Sequence, residues 1–146
     1  MTVALSAKEV APIVSGRFPA SITESDRDYL LVKSESLIKI ISFFKTTPEF
    51  DFDFLNSITA VDYFDYFEVV YHLTSMKHNQ SLVLKTRCYG RDNLVVPSIV
   101  SLYQGADFQE REIYDLLGIR FEGHPNMKRI FLWDGFEGYP LRKDYL

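Results

Sequence analysis

The residues best suited to chemistry lie together in one run, Glu110-Arg111-Glu112-Ile113-Tyr114-Asp115. Two nearby carboxylates can in principle act as general acid and base. On a helix, however, i and i+2 side chains project roughly 200° apart, so Glu110 and Glu112 cannot converge on one substrate atom. Arg111 and Asp115 stand at i and i+4, the spacing of a helical ion pair. Carboxylates are also stabilised in the first turn of a helix by its dipole. The run therefore favours capping and salt bridging over catalysis. An acid–base enzyme would need Glu110, Glu112 and His124 gathered in one pocket.

The other chemistries find less support. His72, His78 and His124 show no helical metal-ligand spacing. His72, in mid-strand, is expected to be a satisfied structural histidine. His78 is expected to be solvated in a polar turn. His124, in Gly-His-Pro, is placed to donate to a carbonyl or meet a carboxylate. The glycines never form a phosphate-cradling pattern. A single cysteine, Cys88, cannot make an internal disulfide or supply a metal quartet, so a buried inert thiol in a reducing compartment is expected. A nucleic-acid module would rely on Lys128, Arg129, Arg142 and Lys143, but a net charge of −4 and a pI near 5.3 argue against it. No apolar run approaches a membrane span, and the first residues do not resemble a secretory signal, which leads to the expectation of a soluble intracellular protein.

These residues must be carried by elements that the pattern already outlines. With 146 residues, one domain with a real core is expected. Ser6-Ala7-Lys8-Glu9 fits a capping box opening a helix that stops near Gly16. Short strands are expected around Ala20–Thr23 and Asp28–Val32. Ser34 is a candidate N-cap for a helix in which Leu37, Ile38, Ile41 and Phe44 share one face, ended by Pro48. Strands are expected at Ile58–Asp62, Tyr66–Thr74 and Ser81–Tyr89, the last two antiparallel across a polar turn. Ser98 is expected to cap a short helix reaching Tyr103. Asp107-Phe108-Gln109-Glu110 resembles another capping box, opening a helix to Leu117 with Gly118 as its stop. Beyond it the chain is irregular, with Gly123, Pro125, Gly135, Gly138 and Pro140 at short intervals. The expectation is a compact core over about 1–103, followed by a signature helix and tail over about 107–146.

Aromatic residues make up 15% of the chain, more than a small core uses, and surplus rings favour interfaces. One concentration is the acid-rich stretch Phe50–Glu68, which holds no Lys or Arg. It reads as a strand with core rings and solvated acids, or as a docking patch for a basic partner. The other concentration is the tail.

The last third resembles a known family. Glu110-Arg111-Glu112-Ile113-Tyr114-Asp115-Leu116-Leu117-Gly118-Ile119, then Phe121-Glu122-Gly123-His124-Pro125, then Lys128-Arg129-Ile130, is similar to the signature of the C-type (30 kDa) subunit of NADH–quinone oxidoreductase, which belongs to the peripheral arm of respiratory complex I. The closing Gly138-Tyr139-Pro140-Leu141-Arg142-Lys143-Asp144-Tyr145 resembles that family's ending. Leu55–Asp62, Val70-Tyr71-His72-Leu73 and Val96-Pro97-Ser98 fit as well. Phe108 stands where the family often has Trp, and Tyr139 where it often has His.

The resemblance implies an α+β fold, a two-layer α/β sandwich of order α-β-β-α-β-β-β with a mixed sheet, plus the C-terminal helix and extended tail. It implies a structural subunit that binds no cofactor itself. Quinone, FMN and iron–sulfur clusters would sit on other subunits of the complex. The partners implied are a hydrogenase-large-chain-like subunit (the D type) and neighbouring iron–sulfur subunits, on the cytoplasmic side of a membrane. Ferredoxin- or deazaflavin-linked dehydrogenases and membrane-bound [NiFe] hydrogenases use an equivalent subunit. The interface residues it implies are Glu110, Arg111, Glu112, Tyr114, Asp115, Gly118, Phe121, His124, Pro125, Lys128, Arg129, Pro140, Leu141, Arg142, Lys143, Asp144 and Tyr145.

Overall fold

Alternation along the two long central strands decides which face of the sheet is dry. In the computed structural model, which describes residues 2–133 and 136–145, the chain runs β1 (Val3–Ala4), α1 (Ala7–Arg17), β2 (Ile22–Ser25), β3 (Leu30–Val32), α2 (Leu37–Thr46), β4 (Phe54–Asp62), β5 (Tyr66–Ser75), β6 (Gln80–Tyr89), β7 (Val95–Pro97), α3 (Ala106–Leu117) and β8 (Arg120–Glu122). The turn expected at Gly135 lies outside the described residues. On β5, Phe67, Val69, Tyr71 and Leu73 are fully buried. The register sets them opposite Cys88, Thr86, Leu84 and Leu82 of β6, so both strands present one inner face. The outer face carries Glu68, Lys85 and Arg87, with Glu68 bridging both cations at 3.2 and 3.0 Å.

The main sheet has the order β2-β3-β6-β5-β4, with β1 added to β6. β1 and β3 run parallel to β6 and the other pairs are antiparallel, so the sheet is mixed as expected for an α+β fold. The helices close the inner face. α2 buries Leu37, Ile40, Ile41 and Phe44, residues three or four apart on one stripe. α1 adds Ala7, Val10 and Val14, and α3 adds Ala106, Ile113 and Leu117 to the same cluster. That cluster continues to Ile119 and Phe121, so the core reaches past residue 103 and takes in α3 and β8. Two features carried no pattern in the sequence: the two-residue β1 and the parallel pair β7–β8.

Several local expectations are corrected. Ser6 precedes α1, but its side chain caps nothing, so no capping box forms. α2 begins at Leu37, and Ser34–Ser36 form a single 3-10 turn before it. β4 begins at Phe54, four residues earlier than its pattern implied, across a register shift between Leu55 and Ser57. No helix spans 98–103: Ser98 Oγ accepts the Val100 N–H at 3.2 Å while its hydroxyl donates to Glu110, but the Leu102 and Tyr103 N–H groups both turn back to Ile99 O and the segment closes as a single turn. α3 begins at Ala106 after Gly105, so Asp107 lies inside the first turn and is not its cap.

The outer edge of β4 is covered by α3. The Ile58 N–H donates to Gln109 Oε1 at 2.6 Å, which removes an open donor from a sheet edge. Gln109→Ala should leave that half-buried donor without an acceptor and lower stability by about 1–2 kcal/mol, measured by urea unfolding. An unchanged midpoint would mean that packing alone closes the edge.

Candidate functional site in the C-terminal third

The acids of α3 take three different roles. Positions 106, 110, 113 and 117 share the buried stripe, so Glu110 points inward between apolar neighbours. Its carboxylate accepts from Ser98 Oγ at 2.6 Å and from the Ile99 N–H at 2.9 Å. Burial pushes its pKa up, against the pull of those two hydrogen bonds. Glu112 is exposed on the other side. The two glutamates therefore share no pocket. Asp115 is also fully buried and accepts the N–H groups of Ile130, Phe131 and Leu132 at 3.2, 2.7 and 3.1 Å. Its ion-pair partner is Arg129 at 3.3 Å, not Arg111 as the helical spacing implied. Arg111 instead donates to the Lys128 carbonyl at 3.0 Å.

His124 pins the Gly-His-Pro turn to α3. Its Nδ1 accepts the Asn126 N–H at 2.9 Å, which places the ring proton on Nε2. Nε2 faces the Asp107 carbonyl oxygen at 3.2 Å and Asp107 Oδ1 at 3.0 Å, with hydrogen-bond geometry only to the carbonyl. The His124 side chain is fully buried there.

The end of the tail is clasped at two points. Gly118 closes α3 with φ 80°, and the last carbonyls of the helix are met by the tail: Leu141 N–H donates to Leu116 O at 3.0 Å and Arg142 Nε to Leu117 O at 2.6 Å. A cation at the negative end of the helix dipole adds to this cap. The second point is Asp62, which lies on the inner face of β4 opposite Phe67 and is 4% exposed. Arg91 grips it with Nη1 and Nη2 at 2.6 and 2.8 Å, and the Phe64 and Lys143 N–H groups donate to it at 2.8 Å each. The hydrogen bonds from Arg91 hold the Asp62 carboxyl well below the usual carboxylate range. Arg91 also meets Asp144 at 3.0 Å, and Arg91 and Arg142 both stack on Phe67, at 4.6 and 5.3 Å from its centroid.

The histidines and the cysteine are scattered. His72, on β5, is exposed on the outer face of the sheet. His78 lies in the exposed hairpin turn with Nε2 2.8 Å from Pro48 O. Cys88 is buried, and burial pushes its thiol up to about 11. Among the described residues no group of three His, Cys, Asp or Glu is placed to hold a metal ion.

The sequence model described as "Respiratory-chain NADH dehydrogenase, 30 Kd subunit" matches residues 30–146. The chain belongs to this family. It is 41% identical over 117 residues to a C-type subunit of the NADH-quinone oxidoreductase of Rhizobium meliloti, covering 78% of this chain and 63% of that protein. It thus spans about six tenths of the length of such relatives. The C/D subunit of the NADH-quinone oxidoreductase of Phocaeicola vulgatus is 48% identical over 94 residues, 64% of this chain and 18% of that one. Among solved structures, a chain of the membrane-bound sulfane sulfur reductase, an archaeal respiratory membrane complex, superposes with a TM-score of 0.76 at 26% identity, covering 94% of this chain and 84% of that one.

Within this member of the 30 Kd subunit family, the polar signature is used largely inside the chain. Glu110, Asp115, Gly118, Arg129 and Arg142 close internal contacts, Phe121 is core, and Asp144 pairs with Arg91. Tyr114 and Tyr139 lie half-buried, with ring centroids 6.2 Å apart. Pro140 is half-buried; Pro125, Lys128, Leu141, Lys143 and Tyr145 reach solvent. The contributors that spacing did not single out are Asp62 and Arg91, while Ser98 and Asp107 drew attention only as helix caps. The acid-rich stretch is likewise accounted for in part: Asp62 and Glu68 are ion-paired within the chain, and Phe52 and Phe67 are core.

Two expectations follow. The folded pKa of Asp62 lies below its unfolded value, so its stabilisation is present above about pH 4 and is lost as pH falls through the folded value. Asp62→Asn should therefore cost about 3 kcal/mol at pH 7, and the gap to wild type should shrink in acid, as read by chemical denaturation across pH. A gap independent of pH would show that shape, not charge, matters there. Gly118→Ala would place a Cβ 2.7 Å from both Arg142 Nη2 and Tyr139, at a φ that disfavours side chains. It should cost about 1–3 kcal/mol and speed proteolysis beyond residue 120; an unaltered cleavage pattern would count against the clasp.

Proposed function

We propose that this chain is a scaffold subunit of the quinone-reducing peripheral arm of a complex-I-like NADH:quinone oxidoreductase, with no redox centre of its own. The observation that carries this reading is the division of labour in the tail. Glu110, Asp115, Arg129 and Arg142 are turned to internal partners, while Phe108, Phe131, Trp133 and Leu141 are each more than half exposed. Large exposed apolar side chains on a folded tail mark a surface that another protein covers. Trp133 packs edge-on against Phe136 at 4.9 Å, and Phe136 lies over Tyr145 at 6.5 Å, so part of this surface is a pre-ordered row of rings.

The neighbour is a D-type, hydrogenase-large-chain-like subunit, supported by the relative whose name joins C and D in one chain. Cys88 and the three histidines lie apart, which supports electron carriers residing on other subunits along with quinone, FMN and iron–sulfur clusters. No helix among the described residues is long and apolar enough to cross a membrane. Attachment to the cytoplasmic face would run through the other subunits of the complex. The names of the relatives favour NADH as the electron source over the ferredoxin- or deazaflavin-linked and hydrogenase complexes.

The test is affinity purification of the tagged chain from membranes dissolved in mild detergent, followed by mass spectrometry. A hydrogenase-large-chain-like subunit should co-purify in stoichiometric amount. Its absence from a preparation in which the tagged chain is folded and abundant would sink the reading.

A further inference from the structure

The two signature segments, far apart in sequence, meet at one open cleft. It has a volume of 320 Å³ and lies where α3 ends, β8 begins and the tail returns. Tyr114 and Gly118 line it from the first segment; Tyr139 and Arg142 line it from the second. The charges around it are unequally satisfied. Arg91 is held between Asp62 and Asp144. Arg142 is met by the carbonyl oxygens of Leu117 and Arg91 and by the Tyr139 ring at 4.9 Å, but forms no ion pair among the described residues. Arg120 is exposed at the cleft, and its guanidinium has no hydrogen bond, ion pair or ring contact among the described residues. Its backbone, by contrast, is fixed by an N–H bond to Leu94 O at 2.9 Å and by the β7–β8 pairing.

We propose that this cleft receives an acidic side chain of the neighbouring subunit, with Arg120 as its counter-ion and the Tyr114 and Tyr139 rings as its walls. This rests on the scaffold reading above. A guanidinium on a rigid strand, with its donors unclaimed by the described residues, suits bidentate capture of a carboxylate. Tyrosine rings suit contact with the aliphatic stem of a glutamate or aspartate, and their hydroxyls can hydrogen-bond a carboxylate. Among the described residues Asp92 is the one acid lining the cleft, and no ion pair joins it to Arg120. A paired charge at the rim of an interface sets its specificity and salt sensitivity more than its gross affinity.

The intact complex, purified through the tagged full chain, provides the test. Arg120→Lys places a primary amine in the cleft, and a carbodiimide then joins it to any carboxylate in contact. Peptide mass spectrometry should find an amide to an Asp or Glu of the neighbouring subunit. A cross-link only to Asp92, or none, would overturn the proposal. In parallel, Arg120→Glu should fold with an unchanged melting temperature and retain about tenfold less of the neighbouring subunit than wild type at moderate salt. Equal retention would also overturn it. So would a melting temperature raised by inorganic phosphate in wild type but not in Arg120→Glu, with retention unaffected, since that makes the cleft a free-anion site. If wild type itself retains no subunit, the scaffold reading has failed. If wild type retains it and the cross-link is missing, only the cleft assignment has.

Discussion

Carboxylates taken out of water organise the C-terminal third of this chain. Asp62, Glu110 and Asp115 all stand on surfaces that face the core. Removing such a group from water is costly unless donors replace the lost solvent. Here the donors come from segments with no regular structure of their own: Ser98 and Ile99 for Glu110, residues 130–132 for Asp115, and Lys143 together with Arg91 for Asp62. Each acid therefore dictates the path of an irregular segment. The tail is held by charge-assisted hydrogen bonds, while its large side chains Phe131, Trp133 and Leu141 stay exposed and build no second core.

The aromatic surplus divides along the same line. Phe18, Phe43, Phe44, Phe50 and Phe52 form a chain of edge-to-face and tilted contacts around the end of α2, with Phe44 and Phe52 fully buried. Phe67 is buried beneath two guanidinium groups. The rings left in solvent are concentrated on the outer side of α3, in the tail and at the β4–β5 turn. Composition alone suggests an interface; the structure assigns part of the surplus to packing and leaves the rest exposed, the surface that the proposed reading gives to a partner.

This arrangement separates folding from docking. Buried signature acids and their donors make the tail adopt one shape, and on the proposed reading the exposed rings and Arg120 then offer that shape, already ordered, to another subunit. A surface ordered before association loses less entropy on binding. A scaffold subunit of the proposed kind would gain from that division, since its contribution would be position.

The order of the elements from α1 to β6 was readable along the chain, because a 3.6-residue stripe and a two-residue alternation are local signals of which face is dry. The Gly118 stop and the inert Cys88 were readable for the same reason. So was the family, since a long ungapped signature is a property of sequence. What spacing could not decide was the partner of each charged residue. Arg111 and Asp115 have the right separation for a pair, yet Asp115 turns to Arg129 and Arg111 to a carbonyl. Asp62 finds Lys143 across 81 positions. Helical and strand periodicities describe neighbours within one element. Which distant donor satisfies a buried acid depends on where folding brings the backbone, and only the tertiary structure decides that.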